Sequence, residues 1–195
     1  MLYRIAHVLR DYLPWLWDLV DILNSWLFML RYGGKLESFR FKHIPDGFKL
    51  VKVRDMVPEQ MVEFFNRQPE EAYRFFKPHG FDEKSIKKLQ RNRAFIAYVL
   101  VDNAYGQIAG YCFIRSFFFG KGFRGRMVDI GYRGRGFGTV MNKLLNEIGF
   151  GIGLRLFETV NKANVASYRS AISASKVKVV RELNNNDLFL EILKD

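Results

Sequence analysis

Residues 47–195 consist of short apolar stretches separated by turn-forming residues. Segments that are apolar throughout, or in which every second residue is apolar, predict strands at 48–54, 94–101, 107–118, 124–130, 154–160, 176–183 and 187–193. Apolar residues that recur every three or four positions predict helices at 58–67, 82–92, 137–149 and 164–174. The order of strand, two helices, three strands, helix, strand, helix and two strands indicates a mixed α/β layered fold.

A glycine-rich turn precedes the third of these helices. It has the sequence Tyr132-Arg133-Gly134-Arg135-Gly136-Phe137-Gly138, and the helix that follows is apolar on one face, at Phe137, Val140, Met141, Leu144, Leu145 and Ile148. The first amide groups of a helix have no partner within it, and together with the helix dipole they favour an anion. Glycine lets a phosphate approach the backbone closely. The sequence therefore predicts a site for a ligand that carries a pyrophosphate.

Residues 1–30 form an apolar segment with one narrow polar stripe. The stripe residues are spaced by three and four positions, as on one side of a helix: Arg4, His7, Asp11, Pro14, Asp18, Asp21 and Ser25. The two aspartates at 18 and 21 and the proline argue against a membrane span, and no small-residue cleavage motif follows to indicate a secretory signal.

The wide apolar side of this helix must be buried against the domain, another subunit or a membrane surface. Packing on the domain or in an oligomer is one expectation. The three tryptophans and the basic residues that follow favour the other, an anionic bilayer surface. Tyr32-Gly33-Gly34 predicts the helix end. We divide the chain into an N-terminal helical extension with its linker, 1–46, and a main domain, 47–195.

The chain carries 31 lysines and arginines against 20 aspartates and glutamates, a formal net charge of +11. This balance favours anionic partners such as phosphates, nucleic acid or acidic lipid. The Arg-Gly segments at 121–126 and 133–138 resemble RNA-contacting segments, but they are short and lie between ordered apolar elements, so nucleic acid is not an expected partner. Cys112, the single cysteine, excludes an internal disulfide and is expected in the core.

The glycine-rich turn resembles the central motif of the GNAT acyl-CoA N-acyltransferase superfamily, Arg/Gln-x-x-Gly-x-Gly/Ala. Here the motif is Arg133-Gly134-Arg135-Gly136-Phe137-Gly138, between a strand and an amphipathic helix. A second likeness lies downstream, where the family has an Asn and, seven residues later, an aromatic residue: Asn161-Lys162-Ala163-Asn164 and then Tyr168. The family's third strand resembles Ile108-Ala109-Gly110-Tyr111. The resemblance covers roughly residues 47–195.

The resemblance implies a mostly antiparallel sheet with helices on both faces and acetyl-CoA bound in a cleft between two splayed parallel strands. The amides at 134–139 would hold the CoA pyrophosphate, and the strand at 127–131 would pair with the pantetheine amides. Tyr168 would act as general acid toward the leaving thiolate. No metal is expected. The residues implied at the CoA site are Val128, Ile130, Arg133, Gly134, Arg135, Gly136, Phe137, Gly138, Thr139, Asn161 and Asn164.

The chain departs from the family pattern in two places. Ile172-Ser173 stands where the family has Gly-Phe, and the run at 127–131 lacks the usual proline and acidic residue before the motif. The second departure removes the most familiar carboxylate base, and Asp129 is the nearest acid. His79 lies in the turn between the first two helices, where the acceptor is expected, and is the candidate base because a near-neutral imidazole can take a proton from an ammonium group.

These features predict an N-acetyltransferase that moves the acetyl group of acetyl-CoA directly to a primary amine. As acceptor we favour an amino sugar of a surface-polysaccharide pathway, and a protein or peptide amine is the alternative. A GNAT-shaped module that binds acyl-CoA without turnover is the alternative function. We expect the protein in the cytoplasm, either free or attached peripherally to the inner membrane face.

Overall fold

A seven-stranded sheet forms the centre of the molecule in the computed structural model, which describes residues 14–194. The spatial order is β1-β2-β3-β4-β5-β7-β6, and neighbouring strands are antiparallel except for the parallel pair β4 and β5. This arrangement confirms the predicted mixed, mostly antiparallel fold. The strands are β1 (Phe48–Lys52), β2 (Phe95–Asp102), β3 (Ile108–Ser116), β4 (Lys121–Val128), β5 (Arg155–Asn161), β6 (Val177–Leu183) and β7 (Asp187–Ile192).

Helices cover both faces of the sheet, as β2 shows most directly. Its alternate side chains point to opposite faces. Ile96 and Tyr98 join a core with the first and fourth helices, whereas Phe95 and Val99 join a core with the second and third. The helices are α1 (Pro14–Ser38), α2 (Pro58–Asn66), α3 (Glu83–Arg91), α4 (Phe137–Ile152) and α5 (Val165–Ile172).

The parallel strands β4 and β5 pair over a short stretch and then separate. Their register joins Lys121 to Arg155, Gly122 to Leu156 and Phe123 to Phe157. Beyond this point β4 continues to Val128 and β5 to Asn161 without pairing to each other. The separation leaves one edge of β4 open toward β5, as implied by the resemblance.

The first described helix is longer than predicted. The sequence placed its end at Tyr32-Gly33-Gly34, and this prediction is wrong, because α1 continues to Ser38. Each glycine costs a helix roughly 1 kcal/mol relative to alanine. Burial outweighs this cost, since Tyr32 is buried and Leu36 packs on the same core beyond the glycines.

The described part of the polar stripe lies on the side of α1 that contacts the domain. Asp18 forms an ion pair with Lys88 of α3, and the hydroxyl of Ser25 accepts a hydrogen bond from the Arg93 amide at 2.9 Å. The stripe residues Arg4, His7 and Asp11 lie outside the described residues. Among residues 14–194, no helix is both long and apolar enough to cross a membrane. The division of the chain at residue 46 stays a prediction.

Candidate functional site

A cleft of about 450 Å³ opens where β4 and β5 separate. One wall is formed by β4 and the glycine-rich turn that follows it, and the other by β5 and the first residues of α5. A third side is contributed by the segment between α2 and α3, through Glu71, Ala72, Phe75 and Phe76. This is the segment at which the sequence analysis predicts the acceptor amine.

Aromatic packing holds the glycine-rich turn in place. The ring of Phe137 lies 4.9 Å from that of Phe48 and 5.8 Å from that of Tyr132. The hydroxyl of Tyr132 in turn donates a hydrogen bond to Asp102 at 2.9 Å, at the end of β2. The beginning of α4 is therefore fixed against the first two strands of the sheet.

The turn itself presents open backbone to the cleft. Gly134 and Gly136 have positive φ angles of 76° and 81°, and a Cβ atom at either position would meet no atom within 4 Å. Gly136 is the N-cap residue of α4, and no side chain caps the helix there. The Thr139 amide donates back to the Gly136 carbonyl at 3.0 Å, and the helix amides before it have no carbonyl of the helix to bond, which suits an anion.

The structure brings most of the predicted CoA-site residues together. Those that line the cleft are Val128, Arg133, Gly134, Gly136, Phe137, Gly138, Thr139, Asn161 and Asn164. Ile130 and Arg135 are exposed and lie outside the lining. The guanidinium of Arg135 stacks 5.5 Å from the centre of the Tyr132 ring, so it flanks the turn from its outer side.

The two asparagines organise the wall formed by β5 and α5. The amide of Asn161 donates hydrogen bonds to the Asn185 carbonyl at 2.9 Å and to Asp187 at 2.7 Å, which ties the end of β5 to β7. Asn164 precedes α5 and accepts a hydrogen bond from the Ser167 amide at 3.1 Å. Both therefore shape the cleft through the backbone that they hold.

Tyr168, the predicted general acid, is half-buried in α5. The residues of α5 that line the cleft are Ala166, Ser167 and Ser170. Tyr168 lies one turn beyond Asn164 and, like His79, is not among the residues that line the cleft. Its catalytic role stays a prediction.

His79 lies in an aromatic cluster behind the cleft. Its Nδ1 donates to the Gly80 carbonyl at 2.7 Å, so its Nε2 accepts from the Tyr111 hydroxyl at 2.9 Å. Burial lowers the pKa of His79 to about 4, partly opposed by the Gly80 hydrogen bond, and Arg115 lowers it further. The residue is not among those that line the cleft. Its role as base stays a prediction to which this geometry lends no support.

Asp129, the nearest acid to the motif, is a buried structural residue. It accepts hydrogen bonds from Arg67 and Gln68, each at 2.7 Å, and from the Gly131 amide at 2.9 Å. Burial alone would raise the pKa of Asp129, but these hydrogen bonds and the Arg67 charge outweigh it and hold the pKa below its usual value. The carboxylate fastens the start of the glycine-rich turn to the residues that directly follow α2.

A buried charged cluster at the base of the cleft was not anticipated from the sequence. Arg124 and Glu158 directly follow the last paired residues of β4 and β5, and Arg124 donates to Glu158 at 2.7 Å. Arg126 lies 3.6 Å from the same carboxylate and also donates to the Ser167 carbonyl at 2.9 Å. All three charged residues line the cleft. The run at 154–160 contains two charged residues, Arg155 and Glu158, and the acid that directly follows the apolar pair Leu156-Phe157 is the signal that could have revealed Glu158.

The sequence matches no protein-family model and no curated protein. Solved structures do match the chain. The GNAT domain of S. lividans PAT is 14% identical with a TM-score of 0.61, and the match covers 74% of this chain and 88% of that one. The N-acetyltransferase PseH of Campylobacter jejuni is 12% identical with a TM-score of 0.57, over 76% of this chain and 99% of its own.

The ribosomal-protein-S5-alanine acetyltransferase of Vibrio fischeri is 18% identical with a TM-score of 0.57, and the match covers 78% of this chain and 93% of that one. The chain has the GNAT fold. At these identities the likeness concerns the fold, and the chemistry of the cleft depends on the residues that line it in this chain.

Those residues fit a long ligand with a pyrophosphate. The open amides of the glycine-rich turn and the adjacent Arg133 provide a cationic end, and the free edge of β4 provides backbone groups for an extended arm. Within residues 14–194 no group of histidine, cysteine, aspartate and glutamate side chains is arranged to hold a metal ion.

Proposed function

We propose that the protein is an acetyl-CoA-dependent N-acetyltransferase that acts on a primary amine. One observation carries this proposal: the open amides of the glycine-rich turn lie at one end of a cleft whose wall is an unpaired strand edge. That combination suits the pyrophosphate and the amide-containing pantetheine arm of CoA together. The GNAT fold of the chain supports the same donor.

The residues have separate parts in donor binding. The amides at 134–139 hold the pyrophosphate, and Arg133 adds positive charge at the mouth of the cleft. Val128 lies on the free edge of β4, which pairs with the pantetheine arm as an added strand. Asn161 shapes the opposite wall, where the arm enters between β4 and β5.

The chemistry is direct transfer. The acceptor loses one proton from its ammonium group to solvent, and the neutral nitrogen attacks the thioester carbonyl of acetyl-CoA. The new C–N bond forms as the C–S bond breaks, and the nitrogen releases its second proton, which replaces the one that Tyr168 gives to sulfur. Tyr168 protonates the departing sulfur, so that the products are the N-acetyl amine, CoA thiol and one proton in solution.

The acceptor is an amino sugar in this proposal. Phe75, Phe76 and Glu71 line one side of the cleft. The two rings offer aromatic surface to the sugar, and the carboxylate can attract the ammonium group on the sugar ring. The net charge of +11 suits the diphosphate group of a nucleotide- or lipid-linked sugar. A protein or peptide amine is the second candidate, since one structural neighbour is named for acetylation of a ribosomal-protein alanine.

A substrate screen tests the function. Thiol release from acetyl-CoA is measured with nucleotide-linked 4-amino sugars, with spermidine and with peptides that carry a free N-terminus or lysine. Turnover with the amino sugars and not with the peptides is the expected result. Turnover with peptides alone overturns the acceptor class. Acetyl-CoA affinity without thiol release on any amine indicates a binding module and overturns the enzymatic proposal.

A further inference from the structure

The outward side of α1 is an exposed apolar surface. Trp26 is 61% and Leu30 67% exposed. The large apolar side chains on this side, which we call the α1 outer face, are Leu19, Val20, Ile22, Leu23, Trp26 and Leu30. From the first to the last of them the helix rises about 17 Å. A continuous apolar surface of this kind on a folded domain indicates a binding partner.

Contacts on the opposite side of α1 fix this orientation. Phe28 is fully buried in the domain core, and the side chain of Asn24 donates to the Ser116 carbonyl and accepts from the Phe118 amide, both at 3.0 Å. Ser25 and Asp18 bind the segment around α3. The α1 outer face cannot turn inward unless these hydrogen bonds and the burial of Phe28 are lost.

The turn between β3 and β4 adds aromatic surface beside the helix. Phe118 and Phe119 are both exposed in this turn. Asn24 holds the turn through the Phe118 amide, and Arg31 donates to the Phe118 carbonyl at 3.2 Å. Tryptophan and other amphipathic or aromatic side chains are favoured at the boundary between lipid headgroups and acyl chains.

Basic residues border α1. Arg31 is exposed, Lys88 pairs with Asp18 of the helix, and Lys121 lies 5.9 Å from the Phe119 ring. Arg93 is exposed, and its backbone amide contacts Ser25 of the helix. Arg115 is near Asp21, whose pKa is raised chiefly by burial. These five basic residues outnumber the two acidic ones, Asp18 and Asp21, so the border is positive.

We propose that the α1 outer face docks on the surface of an anionic lipid bilayer. Apolar and aromatic side chains enter the interface while the basic border attracts acidic headgroups. The helix lies on the bilayer, since its other side is fastened to the domain by Asn24 and Phe28. A second copy of the chain is a poorer occupant, because each copy carries a net charge of +11.

Vesicle flotation with the full-length protein tests the proposal. We expect the protein to float with phosphatidylcholine vesicles that contain about 30% phosphatidylglycerol, and to remain behind with phosphatidylcholine alone. Raising the salt to about 0.5 M should weaken the binding, because it screens the basic border. Absence of flotation with the anionic vesicles overturns the proposal.

Trp26→Glu is the variant that addresses the face. It should lower the affinity for anionic vesicles on the order of tenfold or more, because an apolar anchor is replaced by a charge that the acidic headgroups repel. Tyr105→Glu is the matched control: Tyr105 is 76% exposed in the turn between β2 and β3, so the same change of charge and ring loss occurs away from α1. Equal loss in both variants would attribute the binding to net charge and overturn the role of α1.

Tryptophan fluorescence distinguishes the other occupants. The tryptophans of the chain are Trp15, Trp17 and Trp26, so Trp15→Phe with Trp17→Phe leaves Trp26 as the single reporter. Its emission should be that of a solvated indole in buffer and shift to shorter wavelength on anionic vesicles. A short-wavelength emission without vesicles means that a second copy or residues 1–13 cover the face, and overturns the proposal; sedimentation separates these two cases. Retained acetyl-CoA affinity in Trp26→Glu shows that this test is independent of the proposed catalysis.

Discussion

The Nε of Arg124 donates a hydrogen bond to the Glu158 carboxylate across the point at which β4 and β5 separate, at 2.7 Å. Both side chains are almost fully buried, and Arg126 approaches the same carboxylate. Burial lowers the pKa of each guanidinium, while Glu158 counters the effect. Two buried guanidinium groups at the base of the cleft therefore share one carboxylate as their counter-charge.

Replacing this carboxylate should destabilise the protein. Glu158→Gln leaves Arg124 and Arg126 buried without a counter-charge, a change that typically costs about 3–5 kcal/mol. Chemical denaturation measures the free energy of unfolding. Glu182→Gln is the control, because Glu182 pairs with Lys162 at an exposed position and its loss should change stability by about 0.5 kcal/mol or less. Equal effects of the two substitutions would contradict the structural importance of the buried pair.

The proposed pyrophosphate site can be blocked at Gly136. Gly136→Glu should weaken acetyl-CoA binding by about 100-fold or more, since it obstructs charge-assisted hydrogen bonds worth roughly 1.5–3 kcal/mol each. Gly106→Glu is the control: Gly106 also has a positive φ, 66°, and open space at its Cβ, so the backbone cost is shared. Calorimetric titration with acetyl-CoA compares the two. Unchanged affinity in Gly136→Glu would refute the assignment of the donor site.

Tyr168 can be tested without disturbing the donor site. Tyr168→Phe should lower kcat by roughly 100-fold or more, the usual contribution of a general acid, and leave acetyl-CoA affinity nearly unchanged. Steady-state kinetics with the best acceptor of the screen, alongside the binding titration, separate the two quantities. Wild-type turnover in this variant would make Tyr168 a packing residue of α5.

The acceptor end of the cleft has its own test at Glu71. Glu71→Gln should raise KM for the amine about three- to fivefold and leave acetyl-CoA affinity unchanged, because an exposed carboxylate attracts an ammonium group weakly. Glu70→Gln is the control, since Glu70 is the neighbouring exposed acid and is not among the residues that line the cleft. The same KM in both variants and the wild type would remove Glu71 from the acceptor site.

His79 should make the stability of the protein depend on pH. Its pKa is about 4 in the folded state against 6.5 for the free side chain, so the unfolded chain binds more protons between these values. The free energy of unfolding has its full value above about pH 7 and decreases by up to about 3 kcal/mol as the pH drops toward 4. Denaturation curves measured across this pH range give the free energy of unfolding at each pH. In His79→Gln, the part of its decrease toward low pH that His79 causes should be absent.

The same variant tests the predicted base. If His79 has only a packing role, His79→Gln keeps kcat near the wild-type value at a pH above 7. At that pH the imidazole of the wild type is neutral in both the folded and the unfolded protein. A loss of turnover of about 100-fold at that pH, with acetyl-CoA affinity retained, would establish the catalytic role.

The sequence predicted the order of elements because its turns carry their own signals. Alternation and glycine-containing turns placed β2, β3 and β4, and Asn164 with the periodic residues after it placed α5. The helix end at Gly33 was wrong for a tertiary reason. A Cβ at Gly33 would lie 2.8 Å from the end of the Met29 side chain. The glycine therefore leaves room for Met29, which packs against the core from the same helix.

The part of the candidate site that consecutive residues form was predictable from the sequence. The part that residues distant in the sequence form was not. The turn at 133–138 combines its glycines and a helix start within a few residues, so its anion-binding character follows from the sequence. The Arg124–Glu158 pair depends on the register between two distant strands, which sequence alone does not provide. Likewise, the inward orientation of the polar stripe on α1 depends on partners such as Lys88 and Arg93 in the folded domain.

The short seam between β4 and β5 divides the sheet into two blocks, β1–β4 and β5–β7, each with longer ladders of its own. Opening of one block therefore breaks few hydrogen bonds with the other, and α4, which contacts β3, β4 and β5, carries much of the coupling. A ligand that binds along the free edge of β4 and also touches α5 joins the blocks into one cooperative unit. Occupancy of the cleft would then raise the free energy at which either block opens.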